Sequence, residues 1–155
     1  GSEMCIRDRY NNMYQIVQTD DYVMIMVEMA HDARIIPIDK DRRPDAWKPW
    51  LGDSVAHWDG DVLVVETKNL HPQQAPRNIA ALSDQGLVVE RFSRFSDEQI
   101  LYEFEVRDSN FYTEAWSGEM AFNATDTQPY EYACHEGNYG LPGILAGARR
   151  LEMEE

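Results

Sequence analysis

The sequence predicts an all-β, mainly antiparallel domain that ends in one α-helix. Short apolar runs rich in β-branched and aromatic residues recur along most of the chain, and turn residues separate them at short intervals. No strand–helix–strand alternation is present, so a parallel sheet is not expected. Sequential antiparallel strands followed by one helix favour a lipocalin-like meander barrel of about eight to nine strands.

The first half of the chain is expected to contain five strands. Asp20-Asp21 forms the turn of a first hairpin, and the Asp59-Gly60 pair predicts a second, tight one. Pro37 marks an edge or a strand end, because proline cannot donate a hydrogen bond to a ladder. The predicted strands of this half are residues 14–18, 22–29, 31–39, 55–58 and 61–67.

The second half adds four predicted strands and the helix. A polar loop over residues 68–84 has the length of a lid or binding loop. Residues 100–106 alternate between apolar and acidic side chains, which directs Ile100, Tyr102, Phe104 and Val106 toward the core. The remaining elements are strands at residues 86–94, 113–123 and 130–134, and a helix at residues 141–153 whose apolar spacing favours packing on the outside of a sheet.

Composition limits the class of partner. The chain has 155 residues, which suits one domain, and a formal net charge of −14. That charge would repel phosphates, so nucleic acid and anionic membrane surfaces are not expected partners. No apolar run approaches the ~18 residues of a membrane span, so no membrane insertion is expected. The oligomeric state stays open between monomer and homodimer.

The N-terminus is expected to be foreign to the natural protein. Gly1-Ser2 resembles the remnant of a tag, and residues 4–9 resemble the translation of a sequencing adapter, as in a metagenomic gene fragment. We therefore expect residues 1–9 to be a tail and residues 10–155 to be a single β-barrel domain. On this interpretation Cys134 is the only native cysteine, with a packing role.

Three segments carry a resemblance. Trp58 to Thr67, Val89 to Phe92 and Tyr130 to Tyr139 (YEYACHEGNY) resemble a widespread family of uncharacterised bacterial proteins that usually look exported. The resemblance implies no assigned activity. It implies that the start of the chain is truncated, and that the native, full-length protein is periplasmic or secreted.

Candidate catalytic residues are two imidazole–carboxylate neighbours and one inward glutamate. His135 with Glu136, and His31, could transfer protons. Glu90 shares the face of its strand with apolar residues that point inward, so it needs either a functional reason or an internal arginine partner that braces the barrel. A local Asp32–Arg34 ion pair is a further structural interpretation.

A metal site is possible but not indicated by a motif. The four histidines form no HxH or HExxH pattern, and a site would require His31-Asp32 and His135-Glu136 to meet. No cofactor is therefore predicted.

Three functions remain open, and whether the protein is an enzyme is left undecided. The first is a small-molecule-binding barrel with a mixed aromatic and polar pocket. The second is an acid–base enzyme of lyase, isomerase or hydrolase type, using His135, Glu136, His31 and Glu90 on a small anionic or hydrophobic substrate. The third is a structural or interaction domain. Trp47 and Trp50 either cap the core or line a ligand entrance, and the candidate ligand-binding residues are Arg34, Arg91, Trp50, Trp58 and Tyr132.

Overall fold

Antiparallel strands and one C-terminal helix make up the described part of the chain, which confirms the predicted fold class. The computed structural model describes residues 13–28, 31–73, 81–129 and 140–154. The elements are β1 (Tyr14–Gln18), β2 (Tyr22–Val27), β3 (Ala33–Pro37), β4 (Asp53–Asp59), β5 (Val62–Lys68), β6 (Leu87–Arg94), β7 (Gln99–Arg107), β8 (Trp116–Asn123) and α1 (Gly140–Glu154).

The strands form two sheets and not the closed barrel that was predicted. One sheet has the order β1-β2-β3 and the other the order β4-β5-β6-β7-β8. Between β3 and β4 there is a single parallel bridge, Ile38 to Ala56, where the Asp39 N–H donates to the Ala56 carbonyl at 2.8 Å. Hairpin connections produce antiparallel neighbours, whereas the long connection after β3 brings β4 in parallel to it. The ladder of hydrogen-bonded strands is therefore interrupted between β3 and β4.

A second gap in the pairing of the described strands lies between β1 and β8. The rings of Tyr14 and Phe122 stack across it with centroids 5.0 Å apart. Tyr14, Ile16, Met120 and Phe122 are among the side chains around an open space of about 720 Å³. Among the described strands, the two sheets thus pack against each other with a gap in the pairing on each side.

The Asp59-Gly60 signal does mark a tight hairpin. Asp59 pairs with Val62, so the two-residue loop is Gly60-Asp61, one residue later than the sequence indicated. Gly60 has a φ of 60°. A glycine with positive φ at the first loop position is typical of the type II′ turn, whose twist matches that of the flanking strands.

The space between the sheets is filled by side chains from both. The main core cluster consists of Val23, Ile25, Ile36, Ile38, Ala56, Leu63, Val65 and Phe92. A second cluster of Leu70, Leu82 and Val106 has Phe104 and Trp116 packed against it. At Gly118 an added Cβ atom would lie 2.7 Å from the Phe104 ring. The ring occupies the space of a side chain, so glycine fits at this strand position.

The segment before β3 differs from the predicted strand over residues 31–39. His31 has a φ of 54°, a left-handed conformation that strands do not use, and β3 begins only at Ala33. Within β3 the predicted alternation holds. Ile36 is buried and Arg34 half-buried, whereas Ile35 is exposed.

The helix is present, but its predicted packing on a sheet is not found among the described residues. Every side chain from Pro142 to Met153 is exposed. Ile144 and Leu151 are 69% and 68% exposed, although both belong to the apolar stripe that predicted the contact. No helix in the described ranges is long and apolar enough to cross a membrane.

Candidate functional site

An ion pair joins the two sheets in the interior. Arg34 on β3 donates two hydrogen bonds to Glu90 on β6, from Nη1 to Oε2 at 2.7 Å and from Nη2 to Oε1 at 3.0 Å. Tyr102 on β7 donates its hydroxyl to Oε1 of the same carboxylate at 3.0 Å. The Glu90 side chain is only 8% exposed, and that of Arg34 is 22% exposed.

The surroundings of this pair shift two pKa values. Burial, and then the negative charge of Glu90, raise the pKa of the Tyr102 phenol far above its ordinary range. Burial opposes the charge of Arg34, but the adjacent Glu90 outweighs it and holds the pKa of the guanidinium above its ordinary value. Both groups therefore stay protonated in the folded protein, and each donates to Glu90.

This geometry is the internal Glu–Arg pair that the inward position of Glu90 suggested. Both carboxylate oxygens already accept hydrogen bonds, so Glu90 is poorly placed to take a proton from a substrate. The partner is Arg34 and not Arg91, because Arg91 follows Glu90 directly and points to the opposite face of the sheet.

Replacing Tyr102 by phenylalanine tests the hydroxyl contact. We expect Tyr102→Phe to cost about 1.5–3 kcal/mol at neutral pH, the range for a hydrogen bond to a charged group. A phenol whose pKa is raised on folding stabilises the protein below its unfolded pKa near 10.0 and loses that contribution as pH rises. Above pH 10, the free energy of unfolding should therefore fall less steeply with pH in the variant than in the parent. Urea unfolding at several pH values measures this slope. Tyr112→Phe is the control; equal alkaline slopes in parent and Tyr102→Phe would contradict the assignment.

An exposed groove bordered by two tryptophans lies at the β3–β4 junction. We call it the tryptophan groove; it has a volume of about 650 Å³. Trp47 and Trp50 are 42% and 53% exposed, so they line an opening and do not cap the core. Its remaining lining comes from β2, β3, the start of β4 and the connection between them, and includes Tyr22, Asp32, Arg34, Lys40, Asp41, Arg43 and Gly52.

The connection that carries the tryptophans is fixed to the second sheet by one arginine and one aspartate. Arg42 donates to the main-chain carbonyls of Asp53 and of Glu66. The buried carboxylate of Asp53 accepts the main-chain N–H of Arg43 at 3.3 Å. These contacts fix the connection to the start of β4 and the end of β5. The fixed part lies just before Trp47.

Three further contacts hold the part of the connection around the tryptophans. Asn69 donates from Nδ2 to Asp45 at 3.2 Å, and the His71 N–H donates to the Pro49 carbonyl at 3.1 Å. Lys48 binds Asp84 at 2.5 Å, and this hydrogen bond lowers the pKa of the Asp84 carboxyl. The tryptophan-bearing connection is therefore positioned by bonds at several points and not only by its own sequence.

Each tryptophan also has a polar partner on its ring. The guanidinium carbon of Arg43 lies 4.0 Å from the centre of the Trp47 ring, which is a cation–π contact. The His71 imidazole stacks on Trp50 with centroids 4.2 Å apart and an interplanar angle of 24°. These contacts restrict the indoles while leaving about half of each side chain exposed to the groove.

The predicted site residues are divided among different surfaces. Arg34 and Trp50 both line the tryptophan groove. Arg91 lies on the outer face of β6, beside Glu103 and Glu119, and Trp58 borders a separate depression with Asp61 and Asp97. His31 is exposed at the turn before β3. Tyr132, Cys134, His135 and Glu136 lie outside the described residues.

Sequence reasoning missed the residues that fix the groove, namely Arg42, Asp53, Asn69 and Asp45. Asp53 is the first residue of β4 and is buried, which requires a partner. The nearby Arg42-Arg43 pair is the signal in the sequence that could have suggested one. Asn69 has a φ of 54°, a conformation that asparagine tolerates better than most residues.

Within the described ranges, no group of three or more His, Cys, Asp or Glu side chains is arranged to hold a metal ion. Comparison of the chain with protein-family models, with curated proteins and with solved structures gave no match.

Proposed function

We propose that the protein is a small-molecule-binding module whose ligand site is the tryptophan groove. The observation that carries the proposal is the exposure of Trp47 and Trp50 on a connection fixed by Arg42, Asp53 and Asn69. Large exposed aromatic side chains are costly to leave in water, so their placement around an opening favours a ligand that covers them.

The size and rigidity of the groove support this proposal. Small-molecule sites are clefts of roughly 300–1,000 Å³, lined by aromatic side chains with a few polar groups. The groove, at about 650 Å³, lies within that range. Because Arg43 and His71 already restrict the two indoles, a ligand would lose little free energy in ordering them.

The acid–base alternative has less support from the described residues. Glu90 is held by Arg34 and Tyr102, and His31 lies on an exposed turn. A catalytic base needs a free lone pair within hydrogen-bond reach of its substrate. The binding function therefore has the better physical support.

Removing the indole of Trp50 tests the proposal. We expect a panel of small aromatic and amphiphilic compounds to yield ligands that change the intrinsic tryptophan fluorescence, and Trp50→Ala to weaken their binding at least tenfold. A stacked aromatic contact is worth about 1–3 kcal/mol, in line with such a loss. The measurement is a fluorescence titration, repeated by calorimetry for the tightest compound.

Trp58→Ala is the matched control, because Trp58 is as exposed as Trp47 but borders a different depression. It should bind the same compounds with unchanged affinity. Binding that is lost in Trp58→Ala and retained in Trp50→Ala would place the ligand elsewhere. A panel that yields no ligand at all would overturn the proposal.

A further inference from the structure

The charges around the tryptophan groove are not equally available to a ligand. Two of its carboxylates, Asp32 and Asp41, are exposed and form no ion pair with another described residue. A third, Asp53, is buried and lies 3.8 Å from Arg42. Among the described residues, the groove therefore presents two carboxylates outside any ion pair, against one such cation, Arg43.

Two of the three basic residues of the groove are held in ion pairs, and the third, Arg43, lies against an indole ring. Arg34 is held by Glu90 at 2.7 Å, and Lys40 by Asp21 at 3.0 Å. The Arg43 guanidinium lies on the face of Trp47. An anionic ligand would have to compete with these partners, and the net charge of −14 would repel it during approach.

Aromatic rings and these two carboxylates together favour a positive ligand. Trp47, Trp50 and Tyr22 are all more than 40% exposed around one opening. Tryptophan is the best partner for an organic cation, because the face of its ring is negative and the contact needs little desolvation of a weakly hydrated charge. The contact of Arg43 with Trp47 is an example within the chain itself.

We propose that the ligand of the tryptophan groove is an organic cation, an amine or quaternary ammonium compound with an apolar portion. Its positive group lies against the indole of Trp50, close enough to Asp32 and Asp41 for charge attraction. The inference rests on the proposed binding function and specifies the class of ligand.

Three probes of one shape and different charge test the inference. Choline is positive, 3,3-dimethyl-1-butanol is the neutral counterpart, and 3,3-dimethylbutanoate is negative. Binding is followed by the indole N–H signals of Trp47 and Trp50 in ¹H–¹⁵N NMR. We expect choline to bind about tenfold more tightly than the neutral alcohol, and the anion to bind most weakly.

The carboxylates are tested by a double substitution with a control of equal charge. Asp32→Asn with Asp41→Asn should weaken choline binding about three- to tenfold at low salt, and less at high salt because exposed charges are screened. Asp61→Asn with Asp97→Asn removes the same two charges beside Trp58 and should change the affinity less than twofold. Equal losses in both double variants would show that only the net charge matters and would overturn the assignment of Asp32 and Asp41.

The outcomes separate this inference from the proposed function. If the alcohol or the anion perturbs the Trp50 signal as strongly as choline does, the groove binds ligands but does not select cations. If none of the three probes, and no compound of the wider panel, perturbs Trp47 or Trp50, then both proposals are overturned.

Discussion

Replacing Arg34 by methionine is expected to lower the free energy of unfolding by about 3–5 kcal/mol, because it leaves the Glu90 carboxylate buried without its partner. Methionine replaces the aliphatic stem of arginine but not its guanidinium, so the main loss is the charged partner of Glu90. An unpaired buried carboxylate favours its protonated form, so the variant should recover part of this loss as pH falls. Urea unfolding of parent and variant at several pH values measures both effects.

A second substitution separates the cost of an orphaned charge from the value of the pair. Glu90→Leu added to Arg34→Met removes both charges, and apolar replacement of a buried ion pair is often neutral or stabilising. The double variant should therefore be more stable than Arg34→Met alone, even though it lacks more of the native hydrogen bonds. A double variant that is the least stable of the three would show that the pair itself stabilises the fold.

Replacing Gly52 by alanine is expected to cost about 2–6 kcal/mol, the sum of a strained backbone and a steric overlap. Gly52 has a φ of 76°, and an added Cβ would lie 2.7 Å from Thr67 and 2.8 Å from the Lys68 carbonyl. The backbone oxygen cannot move without disturbing the pairing of β4 with β5. The substitution should also weaken ligand binding, because Gly52 lines the tryptophan groove.

Gly60→Ala is the matched control, because it isolates the cost of backbone strain from that of steric overlap. Gly60 has a similar φ of 60°, but no atom lies within 4 Å of its added Cβ. It should therefore show only the conformational cost, about 1–2 kcal/mol. Chemical denaturation of the two variants provides the comparison. Equal losses would mean that the contacts with Thr67 and Lys68 relax, and that the close packing around Gly52 is not important.

The parts of the fold that depend on neighbouring residues could be predicted from the sequence. Alternation along residues 100–106 placed Tyr102 and Val106 inward, and the Asp59-Gly60 pair located a hairpin. Both signals act over a few residues, where side-chain direction and turn geometry are determined locally. Alternation along residues 86–94 likewise placed Glu90 inward and indicated that its carboxylate needs a partner.

The parts that depend on distant residues could not be predicted. Whether β3 joins β4 is decided by the route of the connection between them, and that route depends on Arg42 and Asp53, which local patterns do not link. For the same reason the sequence grouped Trp50 with Trp58 and Arg34 with Arg91. In the structure the two members of each pair lie on different surfaces. The apolar stripe of α1 predicted burial, but a stripe does not identify the surface that covers it.

The terminal position of β1 in its sheet has a consequence for handling the protein. Tyr14–Gln18 contains no charged residue, and Ile16 and Val17 are 37% and 43% exposed, so this edge lacks the lysines and prolines that usually discourage pairing between molecules. Repulsion between chains of charge −14 opposes such pairing. Salt screens that repulsion, with a Debye length of about 10 Å at 0.1 M. Dilute, low-salt buffers are accordingly the conditions in which the protein should remain dispersed.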